Sequence, residues 1–147
     1  MPQINGADQR DGKQFAAANA KYKKGSLSLD ITGAYPAEAD VKRWMRTVSI
    51  SKGGIVTVNE DYELSKSQGA TKLMLITIAK PELAAKGVIK IGNRCIEYNA
   101  NQLDVAVEPI SDKLDPLLQR IWGSEMYRIV MTVKGSEMKG KIRYRIF

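Results

Sequence analysis

Trp44-Met45-Arg46-Thr47-Val48-Ser49-Ile50, followed by Val56-Thr57-Val58-Asn59-Glu60-Asp61-Tyr62-Glu63-Leu64, is the stretch that decides the fold. In the first segment Trp44, Val48 and Ile50 share one parity around Arg46; in the second Val56, Val58, Tyr62 and Leu64 share another. An apolar period of two belongs to a half-buried strand, whose successive side chains point to opposite faces of a sheet. Lys52-Gly53-Gly54 between the segments supplies the turn.

The same period recurs outward from there. Leu103, Val105 and Val107 alternate with Asp104, Ala106 and Glu108. Further strands are expected over Gln14 to Tyr22, Ser26 to Ile31, Thr71 to Ala79, Val88 to Ile91, Arg94 to Tyr98, Met126 to Val133 and Met138 to Phe147. Gly92-Asn93, between two of these runs, marks a tight hairpin. Helix is scarce: Pro81 to Lys86 is expected to make one turn, and Asp115 to Trp122 about two, with Asp115 as N-cap and Pro116 at the first helical position. This pattern predicts an all-β fold, an antiparallel β-sandwich of about ten strands with one or two short helical turns, over a single domain spanning 1–147.

Composition narrows the chemistry. The chain has 147 residues, 44% of them apolar and 27% charged, the balance of a soluble globular domain, and no apolar run approaches the roughly 18 residues of a membrane helix. There is no histidine and one cysteine, so no internal disulfide forms and a zinc site of the usual nitrogen and sulfur type lacks ligands within the chain. Cys95, between Arg94 and Ile96, reads as a small core residue. A net charge of +7 favours acidic partners.

Four groups of residues stand out. Arg46 falls where alternation aims a side chain inward, and a buried guanidinium must be paired; Asp30 and Asp61 are the expected partners in a structural ion pair. Tyr35, next to Gly33 and Pro36, is expected to pack its ring at a corner while its hydroxyl reaches backbone or water, and Trp44 likewise to pack. Trp122 precedes Gly123-Ser124, which makes it a candidate surface for stacking a sugar. On the last strand Lys139, Lys141, Arg143 and Arg145 share a face opposite Ile142, Tyr144 and Ile146, four cations at intervals of about 6.6 Å. Such a row is either a track for an acidic polysaccharide or the protective charge of an exposed strand.

Several segments in order carry a family resemblance. Ile4-Asn5-Gly6 with Gln9, Asp30-Ile31-Thr32-Gly33-Ala34-Tyr35-Pro36, Trp44-x-Arg46, the valine-rich strand ending at Asp61, and Tyr127-Arg128-Ile129 after Trp122 together resemble the C-terminal β-sheet region of the heparinase II/III-like polysaccharide lyases. The resemblance implies an α/α-toroid upstream of the β-sheets, with acidic polysaccharide of the heparin, heparan sulfate or alginate type held between them and cleaved by elimination. It further implies that the catalytic tyrosine, histidine and asparagine belong to the toroid, so that no residue here is catalytic and this chain by itself is inactive. A His-Asn dipeptide usually precedes the Ile-Asn-Gly opening in that family, its histidine resembling a ligand of a structural divalent metal; any such metal is expected upstream, with no cofactor in this chain. A periplasmic or secreted location is also implied.

Two other classes of function stay open at this stage. One is a non-catalytic carbohydrate-binding module contacting acidic polysaccharide through the basic strand and Trp122. The other, a nucleic-acid-binding β-domain, lacks the cluster of aromatics interleaved with glycine and lysine that such folds carry on one strand.

Overall fold

The computed structural model describes residues 1–123 and 125–147. Its strands among these are β1 (Pro2–Gln3), β2 (Ala18–Lys23), β3 (Ser26–Asp30), β4 (Val41–Ile50), β5 (Val56–Leu64), β6 (Lys72–Thr77), β7 (Pro81–Ala85), β8 (Val88–Ile91), β9 (Arg94–Tyr98), β10 (Leu103–Pro109), β11 (Tyr127–Val133) and β12 (Lys139–Ile146), with one helix, α1 (Pro116–Trp122). All pairings are antiparallel. They build a four-stranded sheet in the order β1-β6-β11-β10 and an eight-stranded sheet in the order β2-β3-β4-β5-β12-β9-β8-β7. The fold is an all-β sandwich.

The two sheets share one apolar core. The large sheet contributes Trp44, Val58, Tyr62, Leu64, Ile142 and Ile89, and the small sheet Leu73, Leu103, Ile129 and Met131. Register explains which residues meet. Trp44 lies opposite Tyr62, Arg46 opposite Glu60 and Val48 opposite Val58, so these six side chains share the inner face. The Trp44 and Tyr62 rings stack with centroids 4.9 Å apart. Burial fades along β4, from Trp44 with no exposure to Ile50 at 58%.

Gly140 stands opposite Tyr62 because nothing larger fits: a Cβ there would lie 2.7 Å from the Tyr62 ring. The Ile4-Asn5-Gly6 opening is pinned in a comparable way. Ile4 is fully buried, while the Asn5 amide donates to the carbonyls of Ala39 and Lys66 at 2.9 Å each. Its Oδ1 accepts from the Gln68 and Gly69 amides at 3.2 Å each. That saturates an asparagine's usual capacity and ties the N-terminal segment to the β5–β6 connection.

Two expected features need correction. Pro81 to Lys86 is not helical: Pro81–Ala85 forms β7, the outermost strand of the large sheet, and Lys86 begins the turn of its hairpin with β8. Glu82 to Lys86 favour helix locally, but pairing with β8 and a turn at Gly87 (φ +83°) override that preference. Proline suits this place because an edge strand tolerates a missing N–H. Cys95 is half-buried and shares its parity with Glu97, while Ile96 points into the core instead. Asp115 does cap α1, its carboxylate accepting from the Leu118 amide at 2.9 Å.

Candidate functional site

Pairing register carries one polar face across the large sheet, opposite the core. β12 sits between β5 and β9, so its outward residues Lys141, Arg143 and Arg145 face Asp61, Asn59 and Thr57 on one side, and Arg145 faces Glu97 on the other. Arg43 and Thr47 of β4 extend the same face, because Arg43 pairs with Glu63 and Thr47 with Asn59. The β7–β8 turn at Lys86 and Gly87 and the connection carrying Asn99 and Gln102 rise beside this surface, closing a cleft of about 1090 Å³. Five cationic side chains line it, Arg43, Lys86, Lys141, Arg143 and Arg145, against the exposed carboxylates of Asp61 and Glu97.

The four cations of β12 are not equivalent. Lys139 lies 3.3 Å from Glu63 and Lys141 3.7 Å from Asp61. Arg145 donates to Glu97 through Nε at 3.1 Å and Nη2 at 2.7 Å. Lys139 hydrogen-bonding to Glu63 holds the Glu63 carboxyl below the usual range against desolvation, with further help from the charges of Lys139 and Lys42. Among the described residues Arg143 has no carboxylate within salt-bridge reach; its cross-strand neighbour is the amide of Asn59.

Arg46 is inside, but its partner is neither Asp30 nor Asp61. Its Nε and Nη2 donate to Glu60 Oε1 at 2.8 and 2.6 Å, and the Trp44 indole Nε1–H donates to Glu60 Oε2 at 2.6 Å. The reason is parity: Glu60 lies directly across from Arg46, whereas Asp61 points outward to Arg43. Asp30 instead accepts from the Thr32 amide at 3.0 Å and the Thr32 hydroxyl at 2.5 Å, starting the 3-10 turn Thr32–Ala34. Burial opposes the Arg46 charge, yet the neighbouring Glu60 outweighs it and holds the guanidinium above its ordinary pKa. Glu60 was legible in principle, since it shares the parity of Val58, Tyr62 and Leu64 in a segment read as half-buried.

Tyr35 is 6% exposed and its hydroxyl donates to the Pro2 carbonyl at 2.8 Å, a packed ring with a satisfied tip. Trp122 is 56% exposed, but it sits on α1 in the β10–β11 connection of the small sheet and does not line the cleft. Ser124, two residues on, lies outside the described residues. Among the described residues no three histidine, cysteine, aspartate or glutamate side chains gather as a metal ion would require, and no helix is long and apolar enough to cross a membrane.

The cleft therefore offers anion-binding groups and hydrogen-bonding side chains on a rigid sheet. No protein-family model matches this sequence, and no curated protein matches it. Among solved structures, heparan sulfate lyase HepC from Pedobacter heparinus has a similar fold, with a TM-score of 0.61 at 10% identity over 90% of this chain and 21% of that one. The chain thus spans about a fifth of that protein's length.

Proposed function

We propose that this chain is the β-sandwich unit of a polysaccharide lyase of the heparinase II/III-like kind, which holds acidic polysaccharide against the outer face of its large sheet while an upstream α/α-toroid supplies the catalytic groups. The observation that carries the proposal is the cleft in which five cations outnumber two exposed carboxylates. The family resemblance of the sequence and the fold shared with a heparan sulfate lyase agree with it.

Chemistry sets the division of labour. Elimination from a uronic acid requires neutralising the sugar carboxylate, removing the adjacent proton and protonating the departing oxygen. Arginines and lysines on a fixed sheet serve the first task. The second and third need groups of suitable pKa oriented on the sugar, which this reading assigns to the toroid, along with any structural divalent metal. An enzyme of this kind works in the periplasm or after secretion.

The test uses this chain and a version extended upstream. Formation of unsaturated uronate, followed by its ultraviolet absorbance with heparin and alginate as substrates, is expected only for the extended version. Both should retain heparin-oligosaccharide binding that falls as salt rises. Product formed by this chain alone would overturn the assignment. A binding module without catalysis is the second reading, favoured by the fact that the whole cleft is built from this chain; it predicts equal binding by both versions and product from neither.

A further inference from the structure

The direction in which an acidic sugar chain crosses the outer face is written in the side-chain register, and this inference rests on the binding role proposed above. Each set of cross-strand neighbours forms a row perpendicular to the strands. One row runs Lys21, Ser28, Thr47, Asn59, Arg143 across β2, β3, β4, β5 and β12. The next runs Lys23, Ser26, Ser49, Thr57, Arg145 across the same strands and ends on Glu97 of β9. The Thr47 and Ser28 hydroxyls approach to 3.4 Å, as same-face neighbours must.

Charge separates these rows from those beside them. Toward the other end of the strands the neighbouring rows contain Asp30, Met45, Asp61 and Lys141, then Arg43, Glu63 and Lys139. Every carboxylate these four rows carry within β2–β5 and β12 falls in the latter two, where Asp61 and Glu63 already neutralise Lys141 and Lys139. A polyanion laid along β12 would pass those two carboxylates. Laid across the strands it meets hydroxyls and an amide along the middle and cations at both ends, with Glu97 only beyond Arg145. Among the described residues, Lys21, Lys23 and Arg143 have no carboxylate within salt-bridge reach.

We infer that an anionic oligosaccharide lies across β2, β3, β4, β5 and β12 rather than along β12. Arg143 and Arg145 hold its acidic groups in the cleft, Thr47 and Asn59 bond its hydroxyls there, and the path continues past the cleft over Ser28 to Lys21 and Lys23 on the β2 edge. Four strand spacings of about 4.8 Å set the reach at about 19 Å. Aromatic side chains within these five strands, Tyr22, Trp44, Tyr62 and Tyr144, all have inward parity. Phe147, just past β12, has the Arg145 guanidinium over its ring at 5.9 Å. The middle of the path therefore has no ring for stacking, which favours a charged sugar over a neutral one or a single-stranded nucleic acid.

The test compares two double variants that each remove two positive charges, so that non-specific attraction changes equally. K21A/K23A alters the exposed edge strand β2; K42A/K139A alters the two lysines paired with Glu63, neither of which lines the cleft. Binding of a heparin-derived oligosaccharide is measured by calorimetry over a salt series, with circular dichroism confirming that both variants fold. K21A/K23A is expected to weaken binding about tenfold, roughly threefold for each exposed ion pair, and to flatten the salt dependence; K42A/K139A should weaken it less than twofold. Arg143→Ala should resemble K21A/K23A in direction. The reverse ranking would overturn the crossing path while leaving the acidic-sugar reading intact, whereas no binding by the unaltered chain at low salt would overturn both.

Discussion

Replacing Arg46 with alanine should be among the most damaging single changes to this fold. The Glu60 side chain has no exposure and Arg46 only 16%, so the substitution strands a carboxylate in the core with one remaining donor, the Trp44 indole. Removing one partner of a buried pair costs about 3–5 kcal/mol. Because water still reaches the edge of the guanidinium, the lower end applies, about 3 kcal/mol. With a urea dependence of about 2 kcal/mol per molar, the unfolding midpoint should fall by about 1.5 M. Urea unfolding followed by tryptophan fluorescence reads this directly, since Trp44 reports on the network. The double variant Arg46→Met with Glu60→Leu removes both charges and should cost less than either single change. Asp61→Ala breaks only the exposed contacts with Arg43 and Lys141 and should cost under about 1 kcal/mol. An Arg46→Ala loss below about 1 kcal/mol, or a double variant as damaging as the two singles added, would refute the buried-pair account.

Gly140→Ala sets a methyl 2.7 Å from a Tyr62 ring already stacked on Trp44, so it should cost about 1–3 kcal/mol by overpacking, read from the same unfolding curves. Asn5→Asp keeps the acceptor for the Gln68 and Gly69 amides but turns the donors to Ala39 and Lys66 into an oxygen facing two carbonyls; a loss of about 2 kcal/mol at neutral pH is expected, checked by thermal unfolding. Burial, with a smaller push from Glu60, raises the Tyr144 phenol to about 12 against the lowering effect of Arg46. The unfolded chain releases that proton near pH 10, so stability from this group is intact below about 10 and lost as pH rises to about 12, roughly 3 kcal/mol in all. Denaturation across that window should show the fall, and Tyr144→Phe should flatten it. Trp122→Ala should leave heparin binding unchanged in titration, because the side chain lies away from the cleft.

Much of the architecture could be read from alternation because each strand declares its own faces. Val88–Ile91 and Arg94–Tyr98 fall where their apolar runs and the Gly92-Asn93 turn place them. β7 escaped because Glu82 to Lys86 is locally a helix former, and a pairing partner is not a local property. β1 escaped because two residues carry no period. The site was legible strand by strand and no further. The outward parity of the β12 cations was plain, but their worth depends on which strands lie alongside, and β12 pairs with β5, about 80 residues earlier, and with β9. Only that register shows Lys141 beside Asp61 and Arg143 beside Asn59. The Arg46 partner was the one miss that local reading could have avoided, since Glu60 sits on the inward parity that Asp61 lacks.

The position of β12 also governs how the chain must assemble. It is the last strand in chain order yet lies fourth from the β7 edge, joining β2–β5 to β9–β8–β7. Until it inserts, β5 and β9 each present an unpaired row of N–H and C=O groups, and the two halves of the large sheet have no hydrogen bonds to each other. Closing it requires contacts between distant parts of the chain, the kind that slow folding because loop entropy is lost before the contacts form. A nascent chain stalled before Lys139 should therefore remain vulnerable to aggregation through those open edges, and a synthetic β12 peptide added in trans should complete the sheet.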